Sequence, residues 1–368
     1  MSTEKKTILE ILSKLKIPST DDSLISDKVL KSIEVDKEKI SIVFNIENPT
    51  LHLRKKIEKL VLDSLNPRFP SHELIVIVES KKKKEGLDSI KNIIAVASGK
   101  GGVGKSTVSS NLAVSLVQKG YSVGLLDGDI YGPSIPIMFD IADARPLSVN
   151  IEGKNKMKPI ESYGVKVLSI GFFTKPDQAV IWRGPMASKA LNQMIFDATW
   201  GELDFLLVDL PPGTGDIHLS ILQALPVTGS VIVSTPQNIA LADARKGIAM
   251  FNQKSINVPV LGIVENMAFF TPNELPENKY YIFGKDGAKN LSDDMNVKFL
   301  GEVPILQSVR EASDFGHPAS LQENSKISLT FNEISKNLVS ELVKRNKDLP
   351  PSEILKITTM AGCSAVNK

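Results

Sequence analysis

The sequence predicts an α/β protein: a doubly wound, mostly parallel sheet preceded by a small α/β domain. Three observations carry this reading. Apolar, β-branched runs recur between Ile93 and Gly301 and alternate with segments of helical periodicity. These runs are apolar at successive positions, as strands covered by helices on both faces must be. Before residue 80 a shorter set of strand and helix patterns stands apart, closed off by the run Lys81-Lys82-Lys83-Lys84.

In chain order, Ile8, Leu9, Ile11, Leu12 and Leu15 form one helical face. Val29 to Val35 and Ile40 to Ile46 read as strands around the polar turn Asp36-Lys37-Glu38-Lys39. Leu53 to Leu65 is a second amphipathic helix with Ile57, Leu60, Val61 and Leu65 inward, and Leu74 to Val78 is a third strand. Residues 1–80 are thus one small domain. Residues 81–90, charged and carrying Gly86, read as a solvated linker rather than a binding site. The second domain is placed at 91–345. Its strands are Ile93–Ala97, Ser122–Leu126, Val165–Ile170, Phe205–Val208, Ser230–Ser234, Val260–Val264 and Phe299–Gly301. Residues 346–368 read as a loosely ordered tail.

At 368 residues the chain buries a large core, and its 42% hydrophobic and 23% charged residues are ordinary for a globular protein. A net charge of +2 gives no electrostatic case for nucleic acid or an anionic membrane. The charged N-terminus lacks the apolar stretch of a signal peptide, and no apolar run reaches bilayer length. Cys363 is the only cysteine, which excludes an intramolecular disulfide. A cytoplasmic enzyme is the reading that fits.

The most informative stretch is Gly99-Lys100-Gly101-Gly102-Val103-Gly104-Lys105-Ser106-Thr107. It follows the run Ile93–Ala97 and opens a helical pattern of Val108, Leu112 and Leu116. A strand, a glycine-rich turn and a helix in that order define a phosphate-binding P-loop. Glycines let successive N–H groups face one anion, and the helix N-terminus adds its partial positive charge. Lys105 is assigned to the β/γ-phosphates, and the Ser106 hydroxyl to Mg²⁺.

Two further strand ends carry acids. Leu125-Leu126-Asp127-Gly128-Asp129 supplies Asp129 to orient an attacking water, with Asp127 as the second choice; a turn aspartate bonding its own backbone is the plain alternative. Leu206-Leu207-Val208-Asp209 has the form of a Walker B strand that brings Asp209 to Mg²⁺ through water, and Pro211-Pro212-Gly213-Thr214-Gly215 follows as a switch. Asn266, after the strand Val260–Val264, either reads an adenine edge or bonds within its own turn. Arg183, in Trp182-Arg183-Gly184-Pro185-Met186, pairs with phosphate, with a switch acid, or with a structural partner. The histidines at 52, 72, 218 and 317 have no metal-ligand spacing.

The second lysine, Lys100, makes the loop a G-K-G-G-x-G-K-[ST] variant. It resembles the ATPase class of the division-site and plasmid-partition ATPases, the nitrogenase iron protein and the Mrp/ApbC iron–sulfur carriers. That resemblance implies a lysine that crosses a dimer interface to the partner's nucleotide. Residues 127–136 (DGDIYGPSIP), 182–186, 200–216 (WGELDFLLVDLPPGTGD), 234–251 (STPQNIALADARKGIAMF) and 262–267 (GIVENM) resemble the Mrp/ApbC family specifically, over nearly all of 91–320. Residues 1–80 resemble a MIP18-type domain, although Ile17-Pro18-Ser19-Thr20 stands where Asp-Pro-Glu is usual. The resemblance implies an ATP-binding homodimer that holds a [4Fe–4S] cluster, receives it from iron–sulfur assembly proteins and passes it to apoprotein clients. The family's Cys-x-x-Cys is replaced by Thr271 and Glu274, neither of them a soft sulfur ligand. Cys363, twice in a dimer, is the remaining thiolate source, or else a free thiol. Two alternatives stand beside this reading: a metal-free, ATP-switched client-binding scaffold, and a partition-type positioning ATPase, for which the tail from Leu349 lacks a basic amphipathic helix.

Overall fold

The computed structural model describes residues 3–18, 23–26, 29–36, 39–47, 51–81, 86–151, 153–173 and 184–353. Trp182, Arg183, Cys363 and residues 82–85 of the lysine-rich linker lie outside the described residues. The chain forms two compact units, Met1–Lys84 and Glu85–Lys368.

The first unit contains α1 (Thr3–Leu12), β1 (Leu30–Val35), β2 (Lys39–Glu47), α2 (Leu51–Leu65) and β3 (Glu73–Lys81). β1 pairs antiparallel with β2, and β2 parallel with β3. Alternation in β2 turns Ile40, Ile42, Phe44 and Ile46 to one buried face. Ile57, Val61 and Leu65, four residues apart on α2, cover that face together with Ile8 and Leu12 of α1.

The second unit begins with β4 (Ile90–Ala97), α3 (Lys105–Gln118), β5 (Val123–Asp127) and the single turn α4 (Ile135–Met138). A hairpin, β6 (Leu147–Ile151) and β7 (Lys154–Lys158), leads to β8 (Ile160–Ser162), β9 (Val165–Ser169) and α5 (Gly184–Phe196). There follow β10 (Leu203–Asp209), α6 (Asp216–Ala224), β11 (Gly229–Ser234), α7 (Asn238–Phe251), β12 (Val260–Phe270) and α8 (Gly287–Asp294). β13 (Phe299–Ile305), α9 (Gln307–Asp314) and α10 (Lys326–Asp348) complete it. The eight-stranded sheet runs β13-β12-β11-β4-β10-β5-β9-β8, parallel except for β8.

Successive residues of the central strands go to opposite faces. Ile93, Ala95, Leu206 and Val208 pack with residues of α5, α6 and α7, while Ile94, Val96 and Leu207 pack with α3 and α10. From β4 the chain crosses to β5 on one side and later adds β11 to β13 on the other. The carboxyl end of β4 is therefore the switch point at which ligands bind in such sheets.

Three details differ from the sequence reading. The β6–β7 hairpin was not foreseen: β6 alternates Leu147, Val149 and Ile151 with polar residues, but both strands are largely exposed and β7 is polar; a turn holds the hairpin, with the Gly153 N–H, at φ +79°, donating to Asn150 Oδ1. β12 continues past the expected Val264 to Phe270. The last helix runs to Asp348, so residues 346–348 belong to a helix whose final turn carries Arg345 and Lys347, cations that suit its C-terminal dipole.

Candidate nucleotide site

Ser98 to Gly104 turn from β4 into α3. Gly102 and Gly104 adopt φ +82° and +79°, where a side chain is disfavoured. A Cβ on Gly99 would collide with the Asp243 backbone, and one on Gly104 with the Asn266 amide. α3 starts at Lys105 with no side-chain cap, leaving its first N–H groups for an anion. The loop bounds a cavity of about 200 Å³ lined by Gly101, Gly102, Ser106, Thr107, Asp129 and Pro212.

The acids arrive by register. Asp209 is paired with Val96 of β4 and with Asp127 of β5, which places both carboxylates at one end of the sheet. Asp209 is fully buried and accepts three hydrogen bonds: from Lys105 Nζ at 2.7 Å and Ser106 Oγ at 2.6 Å on Oδ2, and from Ser109 Oγ at 2.6 Å on Oδ1. Lys105 also lies 3.6 Å from Asp129 Oδ2. Asp127 accepts from Ser169 Oγ at 2.8 Å and from the Asp129 N–H at 3.2 Å. Asp129 Oδ1 accepts from the N–H groups of Tyr131 and Gly132, both at 3.3 Å, so it makes the local turn bonds and faces Lys105 as well.

Burial would lower the Lys105 ammonium, but the charge of Asp209, their hydrogen bond and the charges of Asp129 and Asp127 outweigh it and hold it above its ordinary value. Asp127 is pushed up to about 7, first by burial and then by repulsion from Asp209, against the Ser169 bond, Lys105 and the Asp129 N–H. His218 on α6 is almost fully buried. Burial drops it to about 4, opposed by its bond to the Pro211 carbonyl and reinforced by Lys105, and its Nε2 has no partner.

The switch segment is tied back to the loop. Gly213 N–H donates to the Ser98 carbonyl at 3.0 Å, and Leu210 N–H to Val96 at 3.0 Å. Asn266 is buried and donates to the Val103 carbonyl at 2.8 Å; its amide nitrogen holds the loop. Lys100 is exposed, and no ion pair engages it among the described residues.

Sequence reasoning missed Ser109, Ser169 and His218. Ser109 had a signal: with Lys105 and Ser106 it lies at helical spacing on the face that meets Asp209. Ser169 and His218 reach the site through pairing and packing, which single-chain spacing does not show. Larger cavities of about 370 and 570 Å³ lie at the opposite end of the sheet around Arg345, whose terminal nitrogens are engaged by Pro350 O and Ser352 Oγ. Volume alone does not mark a site.

The fold and the loop define a P-loop NTPase, an enzyme of the ATP-hydrolase class. A family model described as a ParA-type NUBPL iron-transfer P-loop NTPase matches residues 89–339, and the chain belongs to that family. The iron-sulfur cluster carrier protein of Haemophilus influenzae is 39% identical over 360 residues, 96% of this chain and 95% of the relative. That of Synechocystis sp. is 41% identical over 320 residues, 84% and 90%. The iron-sulfur cluster transfer protein NUBPL of Dictyostelium discoideum is 46% identical over 267 residues, 72% and 81%. Among solved structures, a nucleotide-binding protein from Archaeoglobus fulgidus in complex with ADP aligns with TM-score 0.57 and 38% identity, over 67% of this chain and 93% of that one. The cell division ATPase MinD of Pyrococcus furiosus, at 24% identity and TM-score 0.50, shares the fold alone. The family resemblance read from the motifs is thus borne out.

Proposed function

We propose that this protein binds and hydrolyses ATP and uses that cycle to carry iron–sulfur clusters to apoprotein clients, acting as a cytoplasmic homodimer with a MIP18-like domain at residues 1–80. The observation that carries the nucleotide reading is Asp209, at the carboxyl end of β10, accepting hydrogen bonds of 2.7 Å from Lys105 and 2.6 Å from Ser106 of the loop that follows β4. The carrier names of the relatives support the cargo class. Among the described residues no helix is long and apolar enough to cross a membrane.

The loop amides from Gly99 to Thr107 cradle the phosphates. Lys105 leaves Asp209 to reach the β/γ-phosphates; the Ser106 hydroxyl would hold Mg²⁺, and Asp209 would bind it through water. A hydroxyl beside a carboxylate is a hard oxygen donor set that fits this ion; among the described residues no group of three His, Cys, Asp or Glu side chains could hold a metal by itself. When bound, Mg²⁺ neutralises charge on the phosphoryl group. Asp129 orients the water whose oxygen attacks the γ-phosphorus as the bond to the β,γ-bridging oxygen breaks, releasing ADP and phosphate. Lys100 adds a cation from the second subunit. Asn266 holds the phosphate loop through the Val103 carbonyl, so its amide nitrogen is engaged there and not on an adenine edge.

The cluster is cargo, and the chain's donors for it are few. Thr271 and Glu274 occupy the segment after β12, and the sequence has one cysteine, Cys363. This favours a second reading, a metal-free ATP-switched scaffold. One preparation tests both readings. Lys105→Ala is expected to lower ATP hydrolysis on the order of 10²-fold or more, since charge stabilisation dominates phosphoryl transfer; hydrolysis at the wild-type rate overturns the site. After anaerobic reconstitution with iron and sulfide, the wild type is expected to retain a labile cluster that Cys363→Ser loses while still hydrolysing ATP. Equal iron in both removes Cys363 as a ligand. No cluster in the wild type, even with glutathione and a client, overturns the cargo reading and favours the scaffold.

A further inference from the structure

Glu265 and Asn266 are neighbours on β12, so their side chains leave opposite faces of the sheet. Asn266 holds the phosphate loop through Val103. Glu265, 1% exposed, reaches the other way, and its carboxylate accepts the N–H of Ala288 in the first turn of α8. That helix has no cap of its own: Asp286 precedes it at φ +55° and makes no side-chain cap bond. A group on the sheet thus satisfies the start of a helix that begins more than twenty residues later.

The chain between these points, residues 271–286, is an excursion with both ends anchored at β12. At its exit Met267 adopts φ +57°, uncommon for a long side chain, and the pairing with β13 slips between Asn266 and Phe270. Phe270 and Tyr280 exchange backbone hydrogen bonds of 2.8 and 2.9 Å. The return is held at Ala288 by Glu265. Leu275, Tyr280, Tyr281 and Ile282 are exposed along the excursion.

We propose that Glu265 is a positioning residue that ties the excursion 271–286 to the strand end holding the phosphate loop, so that nucleotide binding and the order of this segment are linked. The inference rests on the nucleotide reading above. A displacement of the β12 end that accommodates phosphate moves Glu265 and Asn266 together, because one peptide joins them. Glu265 carries that movement to α8, and the strained exit at Met267 carries it to Phe270. By reciprocity, whatever binds the excursion changes nucleotide affinity by the same factor.

Hydrogen exchange on the full-length chain tests this, with Mg²⁺ and a non-hydrolysable ATP analogue as the probe. In the wild type the analogue is expected to slow exchange across residues 270–288 by about tenfold or more. In Glu265→Ala, at saturating analogue, that response is lost and exchange there is fast with or without the analogue, and by the same linkage analogue affinity falls by about the factor seen in wild-type exchange. Glu265→Gln, whose amide oxygen still accepts from Ala288, is expected to keep the response. Should Glu265→Ala not fold, Glu265→Asp, with its shorter reach, replaces it under the same expectation. A wild-type response retained in these variants overturns the inference, as does a wild type that binds the analogue without any change in 270–288. A wild type that does not bind the analogue overturns the nucleotide reading itself.

Discussion

Two carboxylates in register dominate the chemistry at the residue scale. Asp127 and Asp209 face each other across β5 and β10, both fully buried, with Lys105 the buried cation against Asp209. The folded protein keeps a proton on Asp127 to about pH 7, whereas the unfolded chain releases it near 4. In that window the native state holds the extra proton, so stability falls as pH rises, by up to about 1.4 kcal/mol per pH unit. His218 acts in the opposite sense. It is neutral in the fold down to about pH 4 but protonates near 6.5 when unfolded, so stability rises with pH between those values. The two slopes oppose each other from about pH 4 to 6.5. Asp127→Asn removes only the first. Its stability is expected to rise with pH more steeply than the wild type's over that range, and its advantage over wild type to be greater above about pH 7 than at about pH 4. Denaturant midpoints across pH measure this; a variant whose midpoint tracks the wild type throughout removes Asp127 as the buried titrating group. Both aspartates were legible as strand ends in the sequence. Which of them is held near neutrality was not, because that depends on the neighbour delivered by β10.

At the scale of the element, the loop from β4 to α3 depends on Gly104 for two reasons at once. Gly104 combines φ +79° with a neighbour, the Asn266 amide, that leaves no room for a Cβ. Gly104→Ala is expected to displace Asn266 from Val103, to cost more than about 1 kcal/mol because of the positive φ, and to weaken nucleotide binding by about tenfold or more. Gly132 is the control, since a Cβ there meets nothing within 4 Å and its φ is not positive. Gly132→Ala is expected to fold and bind nucleotide like the wild type. Titration with a fluorescent ATP analogue separates the two; equal affinity in both variants removes the steric account of the loop. The glycine spacing was legible because local φ requirements are written in the local sequence. The contact with Asn266 was not, since it joins residues more than 160 positions apart.

At the scale of the whole molecule, an exposed Lys100 and a buried Lys105 in one short loop have different expected partners. Lys105 is turned inward onto Asp209, whereas Lys100 is free of ion pairs among the described residues. If Lys100 serves the partner's nucleotide, Lys105→Ala subunits still supply it. Mixing them with Lys100→Ala subunits is expected to restore hydrolysis through one composite site per heterodimer. Activity no higher than the sum of the separate variants, with heterodimers shown by tagged co-purification, refutes action in trans.

The sequence by itself determined the sheet, the loop and the family. The central strands are buried on both faces, so their apolar runs are nearly unbroken, and a P-loop needs residues that are contiguous in the chain. Tertiary structure decided the rest. Strand order placed Asp127 beside Asp209; packing sank His218 behind the switch; and one peptide of β12 turned Glu265 and Asn266 to opposite faces. These relations depend on through-space distance in a medium of low polarity, where charge, burial and partner choice act together. The exposed β6–β7 hairpin escaped sequence reading although Leu147-Ser148-Val149-Asn150-Ile151 alternates as a strand does, because its partner strand Lys154–Lys158 is polar and lacks that pattern.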